Sequence, residues 1–352
     1  MIVRENASTA ATRQVVIMRI ATRMIAALSA FVLAPTLALA GSITVYSALE
    51  NDEIAVYLAA AHKAMPDLQV HVLRLSTGDL AARLIAEAGT PRNDVIWGEA
   101  LTDMLDPRIA AELAPLDLPD VARLPPRYRA TDHTWFAPTG YAAAMCVNTD
   151  ALAAQHLPMP ASWADLAKPV YKGQVVMPDP QSSGTGYMMV ASILQNMGDA
   201  QGWALLKGVA ANVAQFTKSG SNPCKMARTG EYAIGVSFGF VAMQAIRQGF
   251  PIKMVIPADH VGYELEASGL MRSSPHQADA RRFLDWTASP QAAAIYRQYK
   301  DLVADPGAGP TPQQLQAGLP ADLDKRLDPL DFSNSAKKRA AIIARWESDV
   351  AH

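Results

Sequence analysis

Between residues 42 and 260, short apolar runs end in Ser/Thr/Gly loops that lead directly into helical stretches. Residues 42–47 read as a strand. A helix is expected from about Glu50 to Ala64, with Ile54, Leu58 and Ala61 at helical spacing and Pro66 beyond its end. Residues 68–73 alternate as a second strand, and Ser76-Thr77-Gly78 caps a helix over 79–88. Residues 94–97 form a third short strand. Residues 141–148 read as a buried strand leaving a first domain, and strand 174–178, loop 182–186 and helix 187–197 follow. Residues 217–223 are a second Ser/Gly loop before a helix over 224–229. Residues 232–238 and 252–257 are further strands, and the tail is helical over 277–288, 290–299 and 334–350. Alternation of this kind predicts an α/β fold with a parallel sheet and helices on both faces. Ligands bind outside the carboxyl ends of such strands.

The N-terminus carries a targeting pattern. A basic start at Arg19 and Arg23 precedes an apolar core over 24–33, and Ala38-Leu39-Ala40 is an A-x-A cleavage site. We expect a signal peptide cleaved after Ala40, with residues 1–17 as an upstream extension and Met18 as an alternative start. The apolar core is too short to span a bilayer. Residues 1–40 hold four Arg against one Glu, so their removal takes the net charge from −2 to about −5. No long basic or acidic run occurs, which argues against nucleic acid as a partner.

The loops carry the chemistry. Ser182-Ser183-Gly184-Thr185-Gly186 follows a strand and opens a helix. Unpaired backbone N–H groups, hydroxyl donors and the positive end of a helix dipole suit an oxyanion there. The loop lacks the Lys of a nucleotide-hydrolysing phosphate loop, so it suits holding an anion rather than cleaving one. Ser47, Ser76, Thr77, Ser219 and Ser221 are further hydroxyl candidates at or near strand ends, and the N–H groups of Gly184, Gly186 and Gly220 could add to them. None of these is a cation. Glu264 in Gly262-Tyr263-Glu264-Leu265-Glu266 could meet an ammonium group. Glu50 and Glu99 are weaker candidates, and Trp97, Tyr263 and Phe238 could pack on the rest of a ligand. Capping for the hydroxyls and core packing for the aromatics are the plain alternatives.

Neither an H-E-x-x-H nor a C-x-x-C motif occurs, and the seven His residues lack metal-ligand spacing. We expect no enzyme, no metal and no cofactor, although a secreted serine hydrolase remains the alternative of another class. Cys146 and Cys224 are the two cysteines. In an oxidising compartment they either bridge or stay as two buried thiols.

Taken together, Thr44-Val45-Tyr46-Ser47, Ser76-Thr77-Gly78, Asp94-Val95-Ile96-Trp97-Gly98, the 182–186 loop, Ser219-Gly220-Ser221-Asn222-Pro223 and Glu264-Leu265-Glu266-Ala267 resemble the periplasmic solute-binding proteins of ABC importers. The resemblance is to the branch near ferric-ion-binding proteins, and more narrowly to the 2-aminoethylphosphonate-binding proteins. It implies a two-lobed type II fold, each lobe a mixed sheet flanked by helices, with a ligand cleft between them. Lobe 1 would comprise residues 41–142 and about 264–300, and lobe 2 residues 143–263. Residues 301–352 form a C-terminal helical segment of open assignment. The resemblance implies a monomer that captures a small zwitterionic or anionic ligand and delivers it to an inner-membrane ABC permease. Carried over by position, Ser47, Thr77, Ser182, Ser183, Gly184, Thr185, Ser219 and Ser221 would hold a phosphonate. Trp97, Tyr263 and Glu264 would hold the amine, and a Cys146–Cys224 bridge would stiffen lobe 2. Another anion (phosphorylated sugar, phosphate) is the alternative ligand. The iron-binding relatives carry paired tyrosines near 237–240, where this chain has Ser237-Phe238-Gly239-Phe240, so ferric ion fits less well. Gly239 and Phe240, and Tyr263-Glu264, also depart from the phosphonate pattern.

Overall fold

The computed structural model describes residues 41–305 and 309–350; the expected signal segment lies outside the described residues. Eleven strands occur among them: β1 (Gly41–Ser47), β2 (Leu68–Arg74), β3 (Val95–Ala100), β4 (Leu113–Ala114), β5 (Phe136–Asn148), β6 (Val175–Pro178), β7 (Val213–Thr217), β8 (Ile234–Phe238), β9 (Ile252–Val255), β10 (Tyr263–Met271) and β11 (Leu302–Val303). The helices that bear on the site are α1 (Asn51–Ala64), α2 (Thr77–Ala86), α3 (Leu101–Met104), α4 (Gly184–Ala210), α5 (Asn222–Arg228), α6 (Gly239–Arg247) and α7 (Phe332–Asp349).

The strands run β2-β1-β3-β10-β5-β8-β6-β7. β1 is parallel to β2 and β3, and β6 is parallel to β7 and β8. Between these parallel groups, β5 and β10 lie antiparallel to one another. The sheet is therefore mixed, as the family resemblance implies, where the alternation alone predicts a parallel one. The reason is chain direction: β5 carries the chain out of the first group and β10 brings it back.

Two hydrophobic cores flank the sheet. The first gathers Val45, Tyr57, Ile96, Trp97 and Phe283. The second gathers Met145, Trp163, Val190, Ile234 and Phe240, and also takes Leu319, Leu323 and Trp346 from the C-terminal segment. Burying each large side chain of this kind is worth roughly 1.5–3 kcal/mol. β5 belongs to both halves. Its residues up to Ala142 pair with β10, and from Ala143 to Val147 they pair with β8. The structure joins Cys146 of β5 to Cys224 of α5 through a disulfide. Among the described residues, no helix is long and apolar enough to cross a membrane.

Candidate functional site

The carboxyl ends of β1, β2 and β3 face the loops that open α4 and follow β7. A small cavity of ≈ 40 Å³ lies at this meeting point. Larger hollows lie on the surface, one of ≈ 280 Å³ beside His62 and His71, but that one is formed by α1 and β2 alone. The small cavity draws its wall from both halves: Glu50, Arg74, Ser76 and Thr77 from the first, and Ser183, Thr185, Gly220 and Phe238 from the second, with Tyr141 of β5 and Glu266 of β10 between them.

Two helix N-termini meet here. Ser76 precedes α2 in extended conformation, and Ser183 caps α4, its Oγ accepting from the Gly186 N–H at 3.4 Å. The Gly184 N–H donates to Thr77 Oγ1, and the Gly78 N–H donates to the Ser182 carbonyl at 3.2 Å. The first N–H groups of a helix have no partner within it, so two sets of such donors and two positive dipole ends converge on one space. Close approach explains the glycines. A Cβ on Gly184 would sit 2.6 Å from Thr77 Oγ1, and one on Gly220 would collide with Thr185 Oγ1. Glycine alone lets the loops pass at this distance.

Charges surround the donors. Arg74 Nη2 lies 3.0 Å from Glu50 Oε1, and Lys225 Nζ of α5 lies 3.1 Å from Glu50 Oε2. Glu53 and Glu266, both in the wall, each lie 2.6 Å from the Lys300 Nζ, which is 1% exposed. Burial pushes the Glu53 carboxyl up to about 7 against the pull of Lys300. Burial, reinforced by the Glu264 and Glu266 charges, holds the Tyr141 phenol well above its ordinary value. Tyr141 therefore faces the cavity as a neutral donor. It is the one tyrosine among the described lining residues, and no cluster of His, Cys, Asp and Glu suited to a metal occurs among the described residues.

The structure brings Thr77, Ser183 and Thr185 to the cavity wall, with Gly184 at its rim in contact with Thr77. It places the other candidates elsewhere. Ser47 is sealed, its Oγ donating to the Trp97 carbonyl at 2.7 Å and accepting from the Leu49 N–H. Ser182 Oγ donates to the Lys218 carbonyl. Ser219 and Ser221 bond to one another at 3.1 Å behind Gly220, which takes their place in the wall. Trp97 is 1% exposed in the first core, edge-on to Phe283 at 5.3 Å. Tyr263 packs edge-on against Phe332. Glu264 is turned to α3, accepting from Thr102 Oγ1 at 2.6 Å and from the Leu265 N–H. Its neighbour Glu266 reaches the wall instead, along with Glu50. Arg74 corrects the expectation that the site lacks cations. Its position at the carboxyl end of β2, two residues before Ser76, is the signal that marks it.

Gly235-Val236-Ser237-Phe238-Gly239 has the G-x-S-x-G spacing of a nucleophile elbow. An elbow presents its serine on a strained turn. Here Ser237 lies within β8, is fully buried, and donates to the Gly220 carbonyl at 2.7 Å. No attacking hydroxyl is presented.

Glu264 supplies a stability prediction. Burial pushes its carboxyl up to about 8, with the Thr102 bond pulling the other way. The folded protein then holds a proton that the unfolded chain loses near its ordinary pKa of about 4.3. From about pH 4.3 to about pH 8 this group therefore makes stability fall as pH rises, by at most about 1.4 kcal/mol per unit. Glu264→Gln should flatten that slope in urea titrations and gain on the wild type at pH 8. An unchanged slope would show that Glu264 is already ionised when folded.

A two-core α/β fold with a polar cavity where the halves meet is the periplasmic-binding-protein fold. The chain belongs to the bacterial extracellular solute-binding protein family, which it matches over residues 102–322. An uncharacterized protein of Haemophilus influenzae is 30% identical over 295 residues, 81% of this chain and 84% of that one. The Fe(3+)-binding periplasmic protein of Serratia marcescens is 25% identical over 267 residues, 72% of this chain and 76% of that one. Among solved structures, the periplasmic binding protein AfuA from Actinobacillus pleuropneumoniae, with exogenous fructose-6-phosphate bound, aligns with a TM-score of 0.80. It is 25% identical, over 88% of this chain and 99% of that one. The Serratia and Actinobacillus proteins are described as binding proteins.

Proposed function

We propose that this protein captures 2-aminoethylphosphonate, or a phosphonate of the same size and charge, and presents it to an ABC permease. The observation that carries this reading is the pairing of two poles in one cavity. Thr77, Ser183, Thr185 and two helix N-termini supply donors for a three-oxygen anion, while Glu50, Glu53 and Glu266 line the same space. Each of these carboxylates already faces a cation, Arg74 and Lys225 for Glu50 and Lys300 for Glu53 and Glu266. A ligand that carries its own ammonium group leaves this balance unchanged, whereas an anion alone adds buried negative charge. The two cores act as lobes that hinge where β5 passes from β10 to β8, at Ala142–Ala143. Lobe 1 then comprises residues 41–142 and about 264–300, and lobe 2 residues 143–263.

A phosphorylated sugar is the second reading, favoured by the sugar phosphate bound to AfuA. A volume of ≈ 40 Å³ holds about three water-sized groups, so the wall must move for either ligand, and further for a hexose phosphate than for a phosphonate of seven non-hydrogen atoms. Ferric ion is disfavoured by the single, neutral phenol.

A thermal-shift panel of 2-aminoethylphosphonate, ethylphosphonate, phosphate, fructose-6-phosphate and Fe³⁺ separates these. A ligand at 100 times its Kd adds about 2.7 kcal/mol of stability. We expect the largest shift with 2-aminoethylphosphonate and a smaller one with ethylphosphonate, which lacks the amine. Equal shifts for these two would remove the carboxylate pole from the account. A shift with fructose-6-phosphate or Fe³⁺ alone would replace the phosphonate reading.

A further inference from the structure

Helix α7 straddles both cores. Trp346 is sealed in the second, Phe332 packs against the first, and Tyr187 Oη of α4 donates to the Ser335 carbonyl at 2.6 Å. From the middle of this helix Arg339 reaches three places. Its Nε lies 2.9 Å from Asp103 Oδ1 on α3 of the first half. Its guanidinium lies over the Tyr187 ring, 4.6 Å from the centroid. Its terminal nitrogens face the carbonyls of Pro180 and Gln181, at 3.5 and 3.4 Å, just before the Ser182–Gly186 loop. That loop then accepts from the Gly78 N–H and donates to Thr77 across the cavity.

We infer that Arg339 is a positioning residue for ligand capture: it latches the two lobes shut from outside the cavity and fixes the loop that forms the oxyanion pole. Arg339 itself is absent from the cavity wall, so it acts through Asp103 and through residues 180–182. The pairing makes the closed form depend on Arg339. Asp103 is 3% exposed, its Oδ2 has no partner, and the carboxylates of Glu99 and Glu264 are buried beside it. Among the described ion pairs, Arg339 is the one cation that reaches this group. A closed form that buries Asp103 without Arg339 would hold an uncompensated charge, so closure depends on the pair.

This inference rests on the hinge reading above, and its test does not require the ligand assignment to hold. Amide exchange at Gly78 and Gly184 reports closure directly, because their acceptors lie on the opposite lobe. In ligand-free Arg339→Met, exchange at both amides should rise at least about tenfold, with Arg339→Lys intermediate because it keeps the charge facing Asp103. If 2-aminoethylphosphonate binds, its dissociation rate should rise by a similar factor in Arg339→Met. Loosening of α7 alone would lower the unfolding midpoint without moving these two amides, so wild-type exchange in Arg339→Met would overturn the latch. Should Arg339→Met fail to fold, Asp103→Asn must reproduce the faster exchange; if it does not, the latch is likewise overturned.

Discussion

Replacing Lys300 with Met is expected to destabilise the protein by about 3–5 kcal/mol, the usual consequence of removing one member of a buried charge group. The Lys300 Nζ is 2.6 Å from both Glu53 and Glu266, and its side chain is 1% exposed. The carboxylates are also committed elsewhere. Glu53 accepts from the Glu50 N–H and from Tyr57 Oη, and Glu266 accepts from Thr139 Oγ1. Without the lysine, two negative charges share a dry space and must be neutralised by protons. The variant then binds more protons folded than unfolded, so its deficit should be largest above pH 8 and shrink towards pH 5. Converting all three residues together (Lys300→Met, Glu53→Gln, Glu266→Gln) should cost far less than the single change, because no uncompensated charge remains. Urea unfolding of the wild type, Lys300→Met and the triple variant measures this. A loss under about 1 kcal/mol in Lys300→Met would mean that the site is wetter than its burial implies.

The second large effect concerns the disulfide. Cys146 and Cys224 are both fully buried and are separated by 78 residues. Closing a loop of that length should contribute about 4 kcal/mol through the lost freedom of the unfolded chain. Changing both cysteines to Ala should therefore lower the unfolding free energy by about that amount under oxidising conditions. Under strong reductant the wild type and the double variant should converge, apart from the packing of two sulfur atoms. The bridge also ties β5 to α5, the helix that carries Lys225 towards Glu50, so the double variant should weaken ligand capture as well.

Local features of the site were legible in the sequence; its electrostatics were not. Thr77, Ser183 and Thr185 stand in Ser/Thr/Gly loops that open helices, and that signal spans only a few residues. Ser47 carries the same composition, but its hydroxyl turns inward to Trp97, which depends on how β1 meets β3. Trp97 and Tyr263 end in aromatic clusters because their neighbours, Phe283 and Phe332, come from distant parts of the chain. Glu264 and Glu266 lie two residues apart on one strand, yet one meets Thr102 and the other Thr139 and Lys300. Lys225 and Lys300 find their carboxylates across long separations that no periodicity records. The sequence marks β5 only from residue 141, because Pro138 and Gly140 are turn-forming residues; in the structure Gly140 pairs with Leu265, and the Pro138 carbonyl accepts from the Ala304 N–H.

The central claim is that the cavity between the cores holds a phosphonate on the Thr77, Ser183 and Thr185 hydroxyls. Calorimetric titration of 2-aminoethylphosphonate into the wild type and into Thr77→Val tests it most directly. The account predicts saturable one-to-one binding, weakened at least about tenfold in Thr77→Val, which loses a hydrogen-bonding group and leaves the Gly184 N–H unpaired. Equal affinity in the two proteins, or saturable heat with fructose-6-phosphate or Fe³⁺ and none with 2-aminoethylphosphonate, would contradict it.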